Sequence, residues 1–344
     1  MSDHGRHVAP PTKGPRRLHG GMVLLGIVGV LVASVEMTFS PSDRPAATPA
    51  ALLTVAPVEA ARAEPIAKPI KKRPLNKVIA PVTVRVATFN LLGCGFTWNN
   101  GHPGSTPSTS RYAPCEQRFV GMWDYINSMG HSIVGFEEVQ APVQALLRGK
   151  TTSPQSSWGM YPKSTSTYET AILWRTADWH LVRAEDFTTP FFASGNGFSS
   201  VTDRAVLLQH RNGRRVWVMV AHHAPSTSPN WSTALAIDLA TESNLFRSLL
   251  ATHVPVLFLA DTNDTSNRTL CAFQAKVPTA HSIYGPANCA NPGSPNDQNM
   301  DKIIGSDQID FNGVLQDWSV QKARITDHGS PSAYATISDH VRKG

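Results

Sequence analysis

Four acidic residues follow short apolar segments in this chain, and acids in such positions can bind a divalent cation. They are Glu138, Asp261, Asp310 and Asp339. Carboxylate oxygens are hard ligands, which suit Mg²⁺, Mn²⁺ or Ca²⁺ better than zinc. A carboxylate can also orient a water molecule and take its proton. A single acid after an apolar segment is usually a surface charge, but the repetition of the pattern indicates a functional site.

Two histidines and one asparagine occur in similar positions and add hydrogen-bonding groups to this set. His222 follows the apolar segment 216–221, His340 follows Asp339, and Asn90 follows the segment 82–89. A histidine near neutral pH can donate a hydrogen bond to a phosphoryl oxygen or move a proton. One such histidine is more often a structural residue. Two of them beside several acids favour a catalytic role.

The elements that must position these residues alternate between predicted strands and predicted helices. Strand patterns occupy the ranges 82–89, 132–136, 169–175, 205–210, 216–221, 254–259 and 308–314. Helical spacing of apolar residues occupies the ranges 119–129 and 234–250. This alternation predicts an α/β domain. The polar residues fall at the predicted strand ends, where loops commonly carry function.

Six short motifs in one order carry a resemblance to a known superfamily. They are Thr88-Phe89-Asn90-Leu91, Phe136-Glu137-Glu138-Val139, Ala221-His222-His223-Ala224-Pro225, Ala260-Asp261-Thr262-Asn263, Ile309-Asp310-Phe311 and Ser338-Asp339-His340. From about Val84 to the C-terminus, the chain resembles the endonuclease/exonuclease/phosphatase superfamily, which has the deoxyribonuclease I-like fold. The resemblance implies a four-layered α/β/β/α sandwich, with two mixed β-sheets face to face and helices outside.

The resemblance also implies a metal and phosphate site. Glu138 matches the principal ligand of a divalent cation, with Mg²⁺ expected and Mn²⁺ or Ca²⁺ as alternatives. Asn90 is expected to help order the metal or the phosphate, and Asp339 to be a second acid near the metal. Arg204 resembles an arginine that contacts phosphate.

The catalytic residues implied by the resemblance are two carboxylate-containing pairs and one further histidine. Asp261 and Asn263 match the pair that orients the nucleophile and stabilises the transition state. Asp310 and His340 match an Asp–His pair, in which Asp310 orients the imidazole. His222 is expected to donate a hydrogen bond to the phosphate.

The four cysteines lie at positions that favour two local disulfides. Cys94 and Cys115 bracket one loop rich in Gly, Pro, Asn and Ser, and Cys271 and Cys289 bracket another. Cross-links at these places would reduce loop entropy, so the pairs Cys94–Cys115 and Cys271–Cys289 are favoured among the three connectivities. A zinc site is the alternative, but no clustered Cys/His spacing supports it.

The N-terminal part differs in composition from the rest of the chain. Basic residues precede the apolar run 22–35, which predicts an export signal or membrane anchor over residues 1–40. Residues 41–81 are rich in Ala and Pro, which predicts a disordered tether before a catalytic domain at 82–344. Residues 1–81 carry 11 Lys/Arg and 5 Asp/Glu, whereas the remainder carries 20 of each. The excess positive charge therefore does not predict a nucleic-acid surface on the domain.

These features predict an exported phosphoesterase that uses a divalent metal and the in-line attack of an activated water on a phosphodiester. Extracellular DNA or RNA is the first substrate class expected. One alternative is a phospholipid or sphingomyelin phosphodiesterase, or a phosphomonoesterase, of the same fold. Another is a surface binding module whose catalytic site has decayed. A monomer is expected, secreted or anchored to a membrane with the catalytic domain outside.

Overall fold

The computed structural model describes residues 79–97, 112–163, 169–194, 197–293 and 300–339. The predicted export signal, all but the last three residues of the predicted tether, and His340 lie outside these residues. In the described part of the chain, no helix is both long enough and apolar enough to span a membrane.

Within the described residues, twelve strands form two mixed sheets of six strands each. The first sheet has the spatial order β11 (Ile309–Asp317), β12 (Ser330–Ile337), β1 (Val82–Asn90), β2 (Ile133–Glu137), β4 (Ala171–Arg175) and β3 (Trp158–Tyr161). The second sheet has the order β5 (Trp179–Ser194), β6 (Gly197–His210), β7 (Arg215–His222), β8 (Val256–Asp261), β10 (Asp301–Gly305) and β9 (His281–Ser282). The alternating and apolar patterns thus form strands as predicted. The long strand β5 was not predicted, because its outward-facing positions are polar and its charged residues mask the period.

Six helices lie between these strands in the part of the chain that the structure describes. They are α1 (Cys94–Thr97), α2 (Cys115–Ser128), α3 (Ala141–Thr151), α4 (Trp231–Leu250), α5 (Arg268–Lys276) and α6 (Ser319–Lys322). One cluster of buried apolar residues joins the inner faces of the two sheets. A second lies between the first sheet and α2 and α3, and a third lies between the second sheet and α4 and α5. The predicted four-layered α/β/β/α sandwich is confirmed.

Strand direction decides which residues share one edge of the sandwich. Strand β1 is parallel to β2, and β7 is parallel to β8, so Asn90, Glu137, His222 and Asp261 end neighbouring strands. Strands β4, β10 and β12 run antiparallel to these neighbours. Their first residues therefore lie at the same edge, which we call the site edge and define by Asn90, Glu138, His222 and Asp261.

Both predicted disulfides are present. Cys94 is bonded to Cys115, and Cys271 is bonded to Cys289. The first ties the start of α1 to the start of α2, and the second ties α5 to the segment between β9 and β10. The structure thus confirms the favoured connectivity.

Candidate active site

Asn90 links the two carboxylates at the centre of the site edge. Its amide nitrogen donates to Glu138 Oε1 over 2.9 Å and to Asp261 Oδ2 over 2.7 Å. Its amide oxygen accepts from the backbone N–H of Leu92 over 2.8 Å. The oxygen that could bind a metal is therefore turned away from the two acids. Asn90 holds the carboxylates together in this structure, and its role in ordering a metal or a phosphate stays a prediction.

The backbone at the site edge adopts conformations that are unusual for residues with side chains. Leu92, Glu138 and Asn263 have φ values of 53°, 56° and 48°. Positive φ costs on the order of 1 kcal/mol for such residues, so it persists where surrounding contacts enforce it. The second carboxylate oxygen of Glu138 accepts a hydrogen bond from the Gly93 N–H. This bond and the Asn90 bond fix the Glu138 side chain after the turn.

His222 lies between an acid from the first sheet and an acid from the second. Its Nδ1 is 3.3 Å from Glu169 Oε1, and its Nε2 is 3.5 Å from Asp261 Oδ2. The amide nitrogen of Asn263 lies 3.3 Å from the same Nε2. The backbone N–H of Asn263 donates to Asp261 Oδ1 over 2.9 Å. The structure thus brings the predicted residues Asn90, Glu138, His222, Asp261 and Asn263 together.

A second histidine reaches Asp261 from the opposite side. His328 Nε2 is 3.9 Å from Asp261 Oδ2, and His328 Nδ1 is 3.2 Å from both carboxylate oxygens of Asp301. His328 lies just before β12 and Asp301 is the first residue of β10. The Asp–His pair at this site edge is therefore Asp301 and His328, which the sequence interpretation missed.

The structure places Asp310 and Asp339 away from the site edge. Asp310 is exposed near the start of β11, and its partner across the sheet is Thr336. Ile337 pairs with Val82, which is eight residues before Asn90 and therefore about 26 Å from it along the strand. Asp339 is 57% exposed and forms an ion pair with Arg214. The sequence prediction of a metal-proximal Asp339 and an orienting Asp310 is corrected by this register.

The physical reason for the correction is the direction of strand β12. A strand that is antiparallel to β1 brings its first residue, not its last, to the end of β1. The hydroxyl of Thr326 accordingly donates to the Asn90 carbonyl over 2.7 Å. The sequence contains a signal for this position, because Thr326-Asp327-His328 has the same Ser/Thr-Asp-His form as Ser338-Asp339-His340.

Arg204 lies on β6 a short distance from the site edge, and its guanidinium forms an ion pair with an acid. It pairs with Val220 on β7, two residues before His222. Its guanidinium is 2.7 Å from Asp186 Oδ2, and the Tyr161 hydroxyl donates to the other oxygen of Asp186 over 2.9 Å. This arrangement does not test the contact between Arg204 and phosphate, which stays a prediction.

Buried acids and histidines at the site edge shift one another's pKa values. Burial alone would lower the pKa of His222, but the hydrogen bond with Glu169 and the carboxylates of Asp261 and Glu138 raise it to about 10. Burial likewise opposes the charged form of His328, yet Asp301 and Asp261 raise its pKa well above the usual value. The surrounding carboxylates therefore favour the charged form of both imidazoles.

Excess acidity at the site edge fits a divalent cation. Two sets of three side chains place one ligand atom each within 4.8 Å of one another: Glu138, His222 and Asp261, and Asp261, Asp301 and His328. Burial raises the pKa of Glu138, and the neighbouring Glu169 raises it further. The adjacent Glu137 is fully buried with one carboxylate oxygen that lacks a hydrogen-bond partner in the described part of the chain. A cation held by Glu138 and Asp261 would offset this concentration of carboxylates.

Arg118 ties together the loops that surround the site edge. Its guanidinium donates to the backbone carbonyls of Leu91 and Leu92 after β1, and to Ile325 before His328. It also donates to the Ala113 carbonyl over 2.9 Å. Burial lowers the pKa of Arg118 to about 10, so the guanidinium stays charged at neutral pH. The loops that carry Asn90 and His328 are thus joined through one side chain.

Comparison with solved structures identifies proteins of the same fold. An endonuclease/exonuclease/phosphatase family protein from Bacteroides thetaiotaomicron aligns with a TM-score of 0.58 and 13% identity, over 77% of this chain and 99% of that one. A mannosyl-6-phosphatase from the same organism aligns with a TM-score of 0.52 and 14% identity, over 73% of this chain and 99% of that one. D. rerio TDP2 complexed with a single-strand DNA product aligns with a TM-score of 0.51 and 14% identity, over 74% and 98%.

These comparisons confirm the fold that the six motifs predicted. At this level of identity, the likeness concerns the architecture of the chain. No family model matches the sequence, and no curated protein matches it.

Proposed function

We propose that this chain, which has the fold of the endonuclease/exonuclease/phosphatase structures, is a divalent-metal-dependent phosphoesterase. The observation that carries the proposal is the convergence of Glu138, Asn90 and Asp261 with two histidines, His222 and His328, at one edge of the sandwich. Two carboxylates suit a hard cation, and two imidazole groups that donate hydrogen bonds suit a phosphate. The similarity to a named phosphatase and to a protein complexed with a DNA product supports the same class of chemistry.

Each residue has a role that its contacts allow. Glu138 and Asp261 would hold the cation, which when bound would neutralise charge on a phosphate oxygen. His222 and His328 would donate hydrogen bonds to phosphate oxygens from either side of Asp261. Asn263, whose amide is held beside His222, would orient the attacking water. Asp301 would keep the His328 imidazole charged and turned towards Asp261.

We infer that the substrate is a phosphodiester, with DNA or RNA as the first class to test. The similarity to TDP2 complexed with a single-strand DNA product favours this class. Residues 82–344 carry equal numbers of acidic and basic residues, so their net charge adds nothing to the case for a long polyanion. A phosphomonoester substrate is the second candidate, and the similarity to a mannosyl-6-phosphatase is the observation in its favour.

We also infer that the protein is exported. The basic and apolar pattern of residues 1–40 is typical of an export signal. Two disulfides in the described part of the chain support an oxidising environment, in which such bonds persist. Mass spectrometry of the protein recovered outside the producing cell would show both disulfides intact. Four free thiols in that fraction would contradict the inference.

The function is tested with the purified protein and a panel of phosphate esters. The panel holds bis(p-nitrophenyl) phosphate, p-nitrophenyl phosphate, single- and double-stranded DNA, RNA and sphingomyelin vesicles. Activity is expected with Mg²⁺ or Mn²⁺, to disappear with chelator, and to fall by about 100-fold or more in Glu138→Ala. If wild type and Glu138→Ala are equally inactive on the whole panel, the binding-module alternative is supported. A steep loss of activity with added salt separates nucleic acid from small substrates.

A further inference from the structure

His223 forms a buried ion pair behind the site edge that the proposed chemistry does not use. Its Nε2 lies 2.7 Å from Oε1 of Glu242 on α4. The His223 and Glu242 side chains are 1% and 0% exposed. Burying two charges carries a desolvation cost that their attraction repays only when the geometry is favourable. We therefore expect this pair to fix the positions of its side chains more than to increase the stability of the fold.

The backbone of His223 is part of the site edge. Its N–H donates to the Asp261 carbonyl over 2.9 Å. Its carbonyl accepts from the Asn263 amide nitrogen over 2.8 Å. That amide nitrogen is also the atom 3.3 Å from His222 Nε2. The His223 peptide therefore decides where the Asn263 side chain points.

The ring of His223 is held from one side. Its Nδ1 has no hydrogen-bond partner in the described part of the chain, so Glu242 supplies the ring's hydrogen bond there. Two further acids, Asp203 and Asp238, are buried nearby and interact electrostatically with His223. Thr189 donates to Asp203 over 2.6 Å, whereas neither oxygen of Asp238 has a hydrogen-bond partner among the described residues. Loss of Glu242 would leave His223 free to turn towards these other acids.

We propose that Glu242 is a positioning residue. Through the ring of His223 it fixes the His223 peptide, whose carbonyl holds the Asn263 amide against His222. Helix α4 thereby sets the geometry of the residue that would orient the attacking water, although no atom of Glu242 touches the substrate. The kinetic consequence rests on the proposed function, whereas the structural link does not.

The kinetic test compares three variants on bis(p-nitrophenyl) phosphate with Mg²⁺. Glu242→Ala is expected to lower kcat by about 10- to 100-fold, the range for residues that orient a site residue, while KM stays within about 2-fold. Glu242→Gln keeps an oxygen that accepts from His223, so it should restore kcat to within about 3-fold of wild type. Ser243→Ala is the matched control, because this neighbour on α4 is buried and its hydroxyl bonds within the helix, to the Ala240 carbonyl. Its kcat should equal that of wild type.

A double-mutant cycle separates positioning from loss of folded protein. In an Asn263→Ala background, Glu242→Ala should have no further effect on kcat, because the group that it positions is already absent. A merely structural defect would multiply the two losses, and that result would overturn the proposal. If Glu242→Ala does not fold, Glu242→Leu fills the same volume and should show the same kcat loss and the same cycle.

A readout without activity distinguishes this inference from the proposed function. The side-chain amide resonances of Asn263, assigned by their loss in Asn263→Ala, should move in Glu242→Ala and stay unchanged in Ser243→Ala. Inactive wild type with shifted amide resonances would refute the proposed function and leave the link intact. Unmoved Asn263 resonances in Glu242→Ala would refute the link, whatever the activity.

Discussion

At the scale of single residues, the site depends on two histidines that flank Asp261. Glu169 orients His222 from the first sheet, and Asp301 orients His328 from the second. Burial opposes the charged form of each ring, and the surrounding carboxylates outweigh that effect. The charged form of Asp261 is favoured in turn, since His328 and His222 hold its pKa below the usual value despite burial. The histidines and Asp261 therefore stabilise one another's charges.

The two Ser/Thr-Asp-His segments should respond differently to mutation. His328→Gln removes an imidazolium next to Asp261, so hydrolysis of bis(p-nitrophenyl) phosphate should fall by about 100-fold or more. Asp310→Asn and Asp339→Asn alter exposed acids away from the site edge and should retain wild-type kcat/KM. Steady-state kinetics on the three variants checks this. A large loss in Asp339→Asn with an active His328→Gln would restore the interpretation based on the C-terminal motif.

At the scale of elements, the loops at the site edge are joined by α2. Arg118 on this helix donates to carbonyls that belong to three loops, and the Cys94–Cys115 disulfide ties the start of the same helix to the segment after β1. Backbone carbonyls in buried loops need donors, because an unpaired buried acceptor is costly. One guanidinium provides several donors in a fixed plane, which a lysine cannot do.

Arg118→Lys should therefore loosen the site as well as the fold. The free energy of unfolding is expected to fall by about 3 kcal/mol, because several buried carbonyls lose their donor. The activity should decline with it, since the loops after Asn90 and before His328 are no longer linked. Urea unfolding and kinetics measure the two effects. Arg247→Lys is the control, as its guanidinium bonds to Asn244 at the exposed surface of α4, and equal losses in both variants would contradict the argument.

At the scale of the whole molecule, the two ends of the sandwich treat their buried histidines differently. The site edge surrounds its histidines with acids, whereas the opposite end buries one histidine that stays uncharged. His131 lies between α2 and β2 with an exposure of 1%, and neither ring nitrogen has a hydrogen-bond partner among the described residues. Burial, with smaller contributions from Arg85 and Arg175, lowers its pKa from 6.5 to about 3. This histidine is neutral in the folded protein across the range in which an unfolded chain protonates it.

His131 should therefore contribute a loss of stability in mild acid. Between about pH 6.5 and pH 3 the unfolded state binds a proton at His131 that the folded state does not, so the contribution of this residue to the free energy of unfolding falls as the pH falls. This contribution has a slope of at most about 1.4 kcal/mol per pH unit. The difference in stability between His131→Phe and wild type should therefore shift in favour of the variant as the pH falls, and the exposed His180→Gln is the control. Urea titrations at several pH values decide it, and parallel curves for His131→Phe and wild type would refute this assignment.

Local features of the sequence are enough to predict an α/β domain, the disulfides and one half of the site, whereas the four layers were implied by the resemblance. Strand periods, helical spacing and loop composition are local, and they placed Asn90, Glu138, His222, Asp261 and Asn263 at the ends of strands. These five come together because β1 and β2, and β7 and β8, run parallel. An acid that follows a strand then lies at the same edge as its neighbours.

The positions of the other residues at the site edge are decided only by the tertiary structure. The rule that functional residues follow strands fails for β4, β10 and β12. Their antiparallel pairing brings Glu169, Asp301 and His328, which lie at or just before the first residue of these strands, to the site edge. The same pairing carries Asp339 to the opposite end. Strand direction follows from contacts between segments far apart in the chain, such as Val82 with Ile337, and local residue patterns do not contain it.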